Sequence, residues 1–433
     1  MYAAAVDLFK LYCDVAIVGA GAAGIAAAIF IQRDLPRLRV AVFDGSSRPG
    51  AKILVSGGSR CNVTNTVVTE KDFWGGRPAI VRRVLQALPV AETVRFFEEI
   101  GVTLHEEAGG KLFPDSNRAR DVLDALLRAM AESGAELVSG TRVLGIGKES
   151  DGFLLHTAAG TVRSRVVVLA TGGRSLPKTG SDGAGYEFAR RLGHSLIPQT
   201  PALAPLVLDP AAAHSIHADL SGTAIDGELA IWIDGAIATR LSGALLFTHF
   251  GVSGPLVLNA SRHWARAVLE RRAVALTFTF QPGESFETVE RQWIAASSGR
   301  PRSTLRSMLS TRMPEKVATS ILVALTLRPD QPLATLTRED RRRLVHALVA
   351  WPLAVTDTRG YNYAEVTAGG VDLEEIDPRT MQSRVCAGLF LIGEILDVDG
   401  RIGGFNFQWA WSSARAAAHG IGLALGCPDP GRP

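Results

Sequence analysis

Residues 52–65 read KILVSGGSRCNVTN, with two adjacent glycines, three hydroxyl side chains, two asparagines, an arginine and a cysteine. Such a run is too polar for a core strand and too rich in hydrogen-bonding groups for a simple linker. Cys61 is a candidate nucleophile, set against its reading as a small packed thiol. The other cysteines, Cys13, Cys386 and Cys427, are scattered, and no CxxC pair exists. Thr64 or Asn65 stands where a dithiol partner would be, so relay chemistry and a zinc ribbon are both excluded. A second chemical stretch, FTHFGVSGP, carries His249 and Ser253. Its second glycine comes one residue too early for a nucleophile elbow, which argues against a serine hydrolase. His249 is a candidate proton carrier near neutral pH. His214 and His217 form an HxxH without a companion acid, so no metal site is expected. Arg60 and Arg401 are candidates to balance negative charge or to hold an anionic substrate.

Strands and helices must position these groups, and one unit is sharply marked. DVAIV, residues 14–18, is a short β-branched run of the kind buried in a parallel sheet. It leads into Gly19-Ala20-Gly21-Ala22-Ala23-Gly24, which opens an alanine-rich helix predicted to reach Gln32. In this GxGxxG spacing Gly19 permits the tight turn, Gly21 admits a pyrophosphate to the backbone, and Gly24 lets helix pack on strand. The amides at that helix start, Ala22 and Ala23 among them, face the diphosphate. A second strand, residues 38–44, ends in Asp44, whose carboxylate suits ribose hydroxyls and repels a 2′-phosphate. An adenine dinucleotide is the expected ligand.

Three further stretches favour FAD over NAD. The long opening loop, residues 45–65, supplies Lys52, Ser56, Gly57, Gly58, Arg60, Cys61 and Asn62 to line a ligand extending past the pyrophosphate. VVVLATGGRSLP runs an apolar strand into a bare turn at Thr171 and Gly172, at the sheet edge where open α/β sheets bind ligands. Near the far end, GLFLIGEILDVDGRIGGFNFQWAWSSA places Gly393 and Glu394 after a strand. There Gly403 and Gly404 open a long helix beginning Phe405-Asn406. The amides of that helix start would meet the flavin pyrimidine, and its dipole would favour anionic reduced flavin. Asn406 and Gln408 either bond the flavin edge or cap the helix.

GAGAAG, SGGSRCNVTN, GKLFPDSNRARDVLDALL, ATGG, LLFTHFGVSGP, EVTAGGV and GEILDVDGRIGGFNFQWAWSSA occur in this order. Together they resemble the BaiN/YhiN-type flavoproteins, a family of NAD(P)/FAD-dependent oxidoreductases, over nearly the whole chain from Cys13. Ser59 departs from the pattern, where members usually carry a third glycine. The resemblance implies a doubly wound, Rossmann-like FAD domain assembled from residues 13–196 and 358–433. Residues 197–357 would form an insert, a small antiparallel β-barrel with a helical subdomain. The pattern itself agrees: short alternating strands, then helix-like stretches, follow the proline-punctuated SLIPQTPALAPL.

The 433 residues exceed one ordinary core. Net charge is +3, so a nucleic-acid-binding chain built on a basic face is not expected. The basic run REDRRRL reads as a solvated helix face. Residues 13–31 are apolar over about a bilayer's length, but glycines divide them into strand, turn and helix, and no signal peptide precedes them. Few cysteines and no membrane span make a cytoplasmic protein the expectation. The expected activity is hydride transfer between FAD and a small, largely apolar substrate, with NAD(P)H as a transient donor because no second GxGxxG exists. An oxidase or dehydrogenase using oxygen or a quinone, and an FAD-dependent tRNA-modifying protein, are the alternatives. The oligomeric state is not legible.

Overall fold

Strand β1 (Tyr12–Val18) buries Val15, Ala16 and Ile17 completely, as a strand covered on both faces must. In the computed structural model, which describes residues 12–427, β1 pairs in parallel with β2 (Val40–Phe43). Beyond β2 lies the parallel strand β3 (Glu136–Val138). Two antiparallel strands, β4 (Val143–Glu149) and β5 (Gly152–Thr157), lead into β6 (Gly160–Leu169). β6 returns beside β1 in parallel and takes Leu389–Leu391 as another parallel neighbour. The sheet is thus a parallel Rossmann-like core with an antiparallel extension.

Helix α1 (Ala22–Asp34) connects β1 to β2 and is buried from Ala23 to Gln32. Its alanines leave room for the closing helix, Phe405–Ala424, to pack along it. An apolar segment that could have spanned a bilayer is therefore spent on one core strand and one core helix. No helix among the described residues is long and apolar enough to cross a membrane.

Internal contacts divide the chain into two units, one holding residues up to 199 with those from 365 onward, the other holding residues 200–364. The second unit has its own core. Its strands are β7 (Leu206–Leu208), β8 (Ala224–Ile233), β9 (Ala236–Thr248), β10 (Gly251–Ser253), β11 (Val274–Thr279), β12 (Trp351–Leu353) and β13 (Val355–Thr358). They form one sheet in the order β12-β11-β8-β9-β10-β7-β13, antiparallel throughout. Only Ala354 separates β12 from β13, so the two edge strands of the sheet are chain neighbours. Four helices of eight or more residues accompany it: Pro255–Leu269, Phe286–Gly299, Glu315–Ala324 and Arg338–Val349. The last buries Leu344, Val345 and Leu348 while Arg342 and Arg343 stay exposed, as the reading of REDRRRL anticipates.

Candidate functional site

The glycine turn is shaped by close approach. Gly19 has φ +105°, and a Cβ there would sit 2.4 Å from the Ala170 carbonyl oxygen. At Gly24 it would sit 1.9 Å from the Gly19 carbonyl oxygen, so helix and turn can meet only without side chains. Gly21 is different: a Cβ there would meet no protein atom within 4 Å. That open side adjoins the first-turn amides of Ala22, Ala23 and Gly24, which no side chain caps. Asp44 Oδ2 accepts from the Ala20 amide at 2.7 Å and Oδ1 from the Ser46 amide at 2.8 Å. The carboxylate clamps the turn, and each oxygen keeps a lone pair for a ribose hydroxyl.

The opening stretch is less of a loop than its composition suggests. Ala51–Ser59 starts as a helix because Ala51 to Val55 are helix-compatible and Ile53 is buried, then breaks at Ser56, Gly57 and Gly58. Gly57, Gly58, Ser59 and Cys61 all take positive φ between 55° and 68°. This left-handed run turns the chain back into residues 62–65, which meet the start of the closing helix. With its amide oriented to satisfy its neighbours, Asn62 accepts from the Gly404 amide at 3.1 Å and donates to the Leu112 and Thr64 carbonyls. Asn65 Nδ2 donates to the Gly403 carbonyl at 3.2 Å, and Thr64 Oγ1 donates to Gln408 Oε1 at 2.6 Å. Trp411 Nε1 donates to the Val63 carbonyl at 3.0 Å. Segments nearly 350 residues apart are stitched together, and no side chain caps the closing helix at its N-terminus.

A polar knot ties in the third stretch. Lys52 Nζ lies 2.5 Å from both Glu394 Oε2 and Ser175 Oγ. Glu394 Oε1 accepts from Ser175 Oγ at 2.8 Å and from the Thr367 amide at 2.9 Å. Gly393 approaches Ala23 so closely that a Cβ would touch it at 3.0 Å, and its carbonyl accepts from Trp409 Nε1. Gly172 takes φ +69° beside Ser181, and Thr171 packs against Gly185. Ser175, Thr367, Trp409 and Trp411 escaped individual notice in the sequence, although all four lie within motifs that carry the family resemblance or the strand-turn pattern.

Several expected side chains have other partners. Arg60 donates to Glu107 at 2.6 Å and lies over the Phe113 ring, and it holds the Glu107 carboxyl below the ordinary range. Arg401 pairs with Asp72 and lies over Phe405. Phe405 itself is buried edge-to-face with Phe73. Asn406 both accepts from and donates to the Gly400 backbone, at 2.8 and 2.9 Å. For Phe405 and Asn406 it is the backbone amides that remain to face a ligand. Cys61 is fully buried, and burial pushes its thiol up to about 12. His249 lies in the second unit, exposed at the tip of the β9–β10 hairpin. His214 and His217 line a small apolar cavity of that unit with Trp351 and Phe247. No cluster of metal-ligating side chains occurs among the described residues.

These groups fit FAD: open space at Gly21, uncapped amides at two helix starts, an acid at the end of β2, and a continuous run of contacts joining them. A match to the HI0933-like protein Rossmann domain covers residues 13–420. The 3-dehydro-bile acid delta(4,6)-reductase of Clostridium scindens is 32% identical over 408 residues, covering 93% of this chain and 98% of that protein. The ribosomal RNA dihydrouridine synthase of Escherichia coli is 33% identical over 408 residues, covering 94% and 98%. Among solved structures, the 3-ketosteroid delta1-dehydrogenase of Sterolibacterium denitrificans shares the fold at a TM-score of 0.50 and 14% identity, covering 96% of this chain and 100% of that one. A quinol fumarate reductase chain of E. coli does so at 0.51 and 15%, covering 96% and 71%. The chain belongs to the HI0933-like family, and it is an FAD-dependent oxidoreductase.

Proposed function

We propose that this enzyme is a reductase that saturates a carbon–carbon double bond conjugated with a carbonyl, taking its electrons from NAD(P)H. Bound FAD would supply the hydride. The amides of Ala22, Ala23 and Gly24 would hold the diphosphate, Asp44 the ribose, and the amides of residues 405–407 the pyrimidine end of the ring. The Lys52–Glu394 pair would fix the turn at Gly393 against α1. His249 is assigned proton delivery, supported by its exposed imidazole.

The observation that carries the flavin placement in this reading is the stitching of residues 62–65 to residues 403–411 beside an uncapped helix start. The two curated relatives support the reaction type. One is named a reductase, and the other is named for dihydrouridine, a uridine with its ring double bond, conjugated to a carbonyl, saturated. A small, largely apolar enone is the first substrate class. A uracil ring in RNA is the second, favoured by the dihydrouridine synthase relatives at 33% and 32% identity.

Anaerobic mixing with NADH or NADPH should bleach the flavin, and a conjugated enone or a uridine-containing RNA should then restore the oxidised spectrum. Rapid bleaching that only oxygen or a quinone reverses would refute the reductase reading. Full turnover by His249→Ala would remove the proton role.

A further inference from the structure

In the second unit an arginine is held by aromatic rings rather than by an acid. The guanidinium carbon of Arg359 lies 4.3 Å from the Phe250 ring centroid and 3.8 Å from that of Tyr363. No carboxylate pairs with Arg359 among the described residues, whereas Arg240, Arg272, Arg306 and Arg312 of the same unit each have one. His249 stands edge-on to Phe250 at 5.1 Å, interplanar angle 86°. Tyr363 is 53% exposed, and His249 is exposed too.

The backbone makes this cluster rigid. Phe250 sits in the tight β9–β10 turn, and its carbonyl accepts from the Leu208 amide. The Arg359 amide donates to the Pro205 carbonyl just past β13, so both residues are tied to β7 and its flanks. Gly360, at φ +67°, turns the chain, and its carbonyl accepts from the Tyr363 and Ala364 amides at 3.1 Å. The segment Arg-Gly-Tyr-Asn-Tyr, residues 359–363, therefore presents a fixed planar cation and aromatic faces.

A fixed guanidinium whose positive charge has no acid beside it, next to an exposed aromatic face, suits a ligand that alternates flat rings with anions. We propose that Phe250, Arg359 and Tyr363, with His249 beside them, form a docking platform for single-stranded RNA. A base stacks on the exposed aromatic face, and the neighbouring phosphate meets the guanidinium edge. Charge distribution agrees. Residues 200–364 carry 17 Lys and Arg against 14 Asp and Glu, so the whole net charge of +3 resides in this unit. The overall total conceals this. An exposed platform also suits a strand better than a dinucleotide, since sites for small ligands are concave. Arg359 and Tyr363, the two positions tested, have no assigned part in the flavin chemistry, so binding and reduction can fail separately.

The test is fluorescence anisotropy of a labelled oligouridine RNA against the flavin-loaded full chain over a range of salt. Tyr363→Ala should weaken binding roughly five- to 100-fold. Arg359→Ala should weaken it as well and lower the salt slope by about one. Arg359→Lys, which keeps the charge but loses the plane, should recover the salt slope without the full affinity. Both positions are partly or largely exposed, so thermal melting should stay near that of the parent protein. Absence of RNA binding would overturn the proposal, as would affinities unchanged in both alanine variants. It would equally fall if NADPH binding, and not RNA binding, depended on Arg359.

Discussion

Gly21→Ala separates folding from cofactor binding. The residue has φ −84° and ψ −171°, open to any amino acid, and an added Cβ meets no protein atom within 4 Å. Alanine is a slightly poorer N-cap than glycine but loses less chain entropy, so the cofactor-free protein should change by no more than about 0.5 kcal/mol. The bound state should suffer. If the pyrophosphate lies against Gly21, the methyl group pushes it off the amides of Ala22 to Gly24. Losing one hydrogen bond to a charged group costs about 1.5–3 kcal/mol, or roughly ten- to 150-fold in FAD affinity. The assay pairs thermal melting of the FAD-stripped protein with titration of FAD back into it. Unchanged melting with weakened FAD binding is expected. Unchanged FAD affinity would refute the pyrophosphate placement, and a large loss of melting temperature would refute the claim that the Cβ has room.

Gly404→Ala should behave oppositely, because Gly404 has φ +92° and its Cβ would sit 2.4 Å from the Thr64 carbonyl oxygen. A loss of about 2–4 kcal/mol without cofactor is expected from denaturant melts. His194 is fully buried, 2.7 Å from Glu375 Oε2 and 2.8 Å from Ser383 Oγ. The order Ser–His–Glu resembles a hydrolytic triad, but Ser383 is buried and accepts from the Val385 and Cys386 amides, so the group is a structural clasp. His194→Ala should cost about 2–4 kcal/mol by taking one buried hydrogen bond from each partner, and no esterase activity should be detectable in the parent. Cys61 and Cys13 are raised by burial to about 12 and about 11, so alkylation of native protein at pH 8 should label Cys427, the half-exposed thiol, and spare both. Raised thiols keep their protons in the folded state while unfolded ones ionise near 9.0, so these two groups should erode stability as pH climbs above about 9.

How far the sequence discloses this site depends on how local each constraint is. Gly19, Gly21, Gly24 and Asp44 are legible because strand, turn and helix fix their spacing within one βαβ unit. The fates of Arg60, Phe405 and Asn406 are not. Arg60 finds Glu107 across a three-stranded sheet formed by Thr64–Asn65, Lys111–Pro114 and Leu104–Glu107. Asn406 closes on Gly400, in a short strand that pairs with Phe73–Gly75 more than three hundred residues earlier. No periodicity in a helix start announces such partners, and each consumes a side chain whose type alone suggested a ligand. What these partners leave is backbone, and that narrows the chemistry. A site lined by amides, with its charged side chains already paired, would recognise shape and phosphate and leave the redox work to the cofactor. Docking of a charged strand, in contrast, needs a side chain whose charge is still unspent. Arg359 is one, and it lies outside every cofactor motif in the chain.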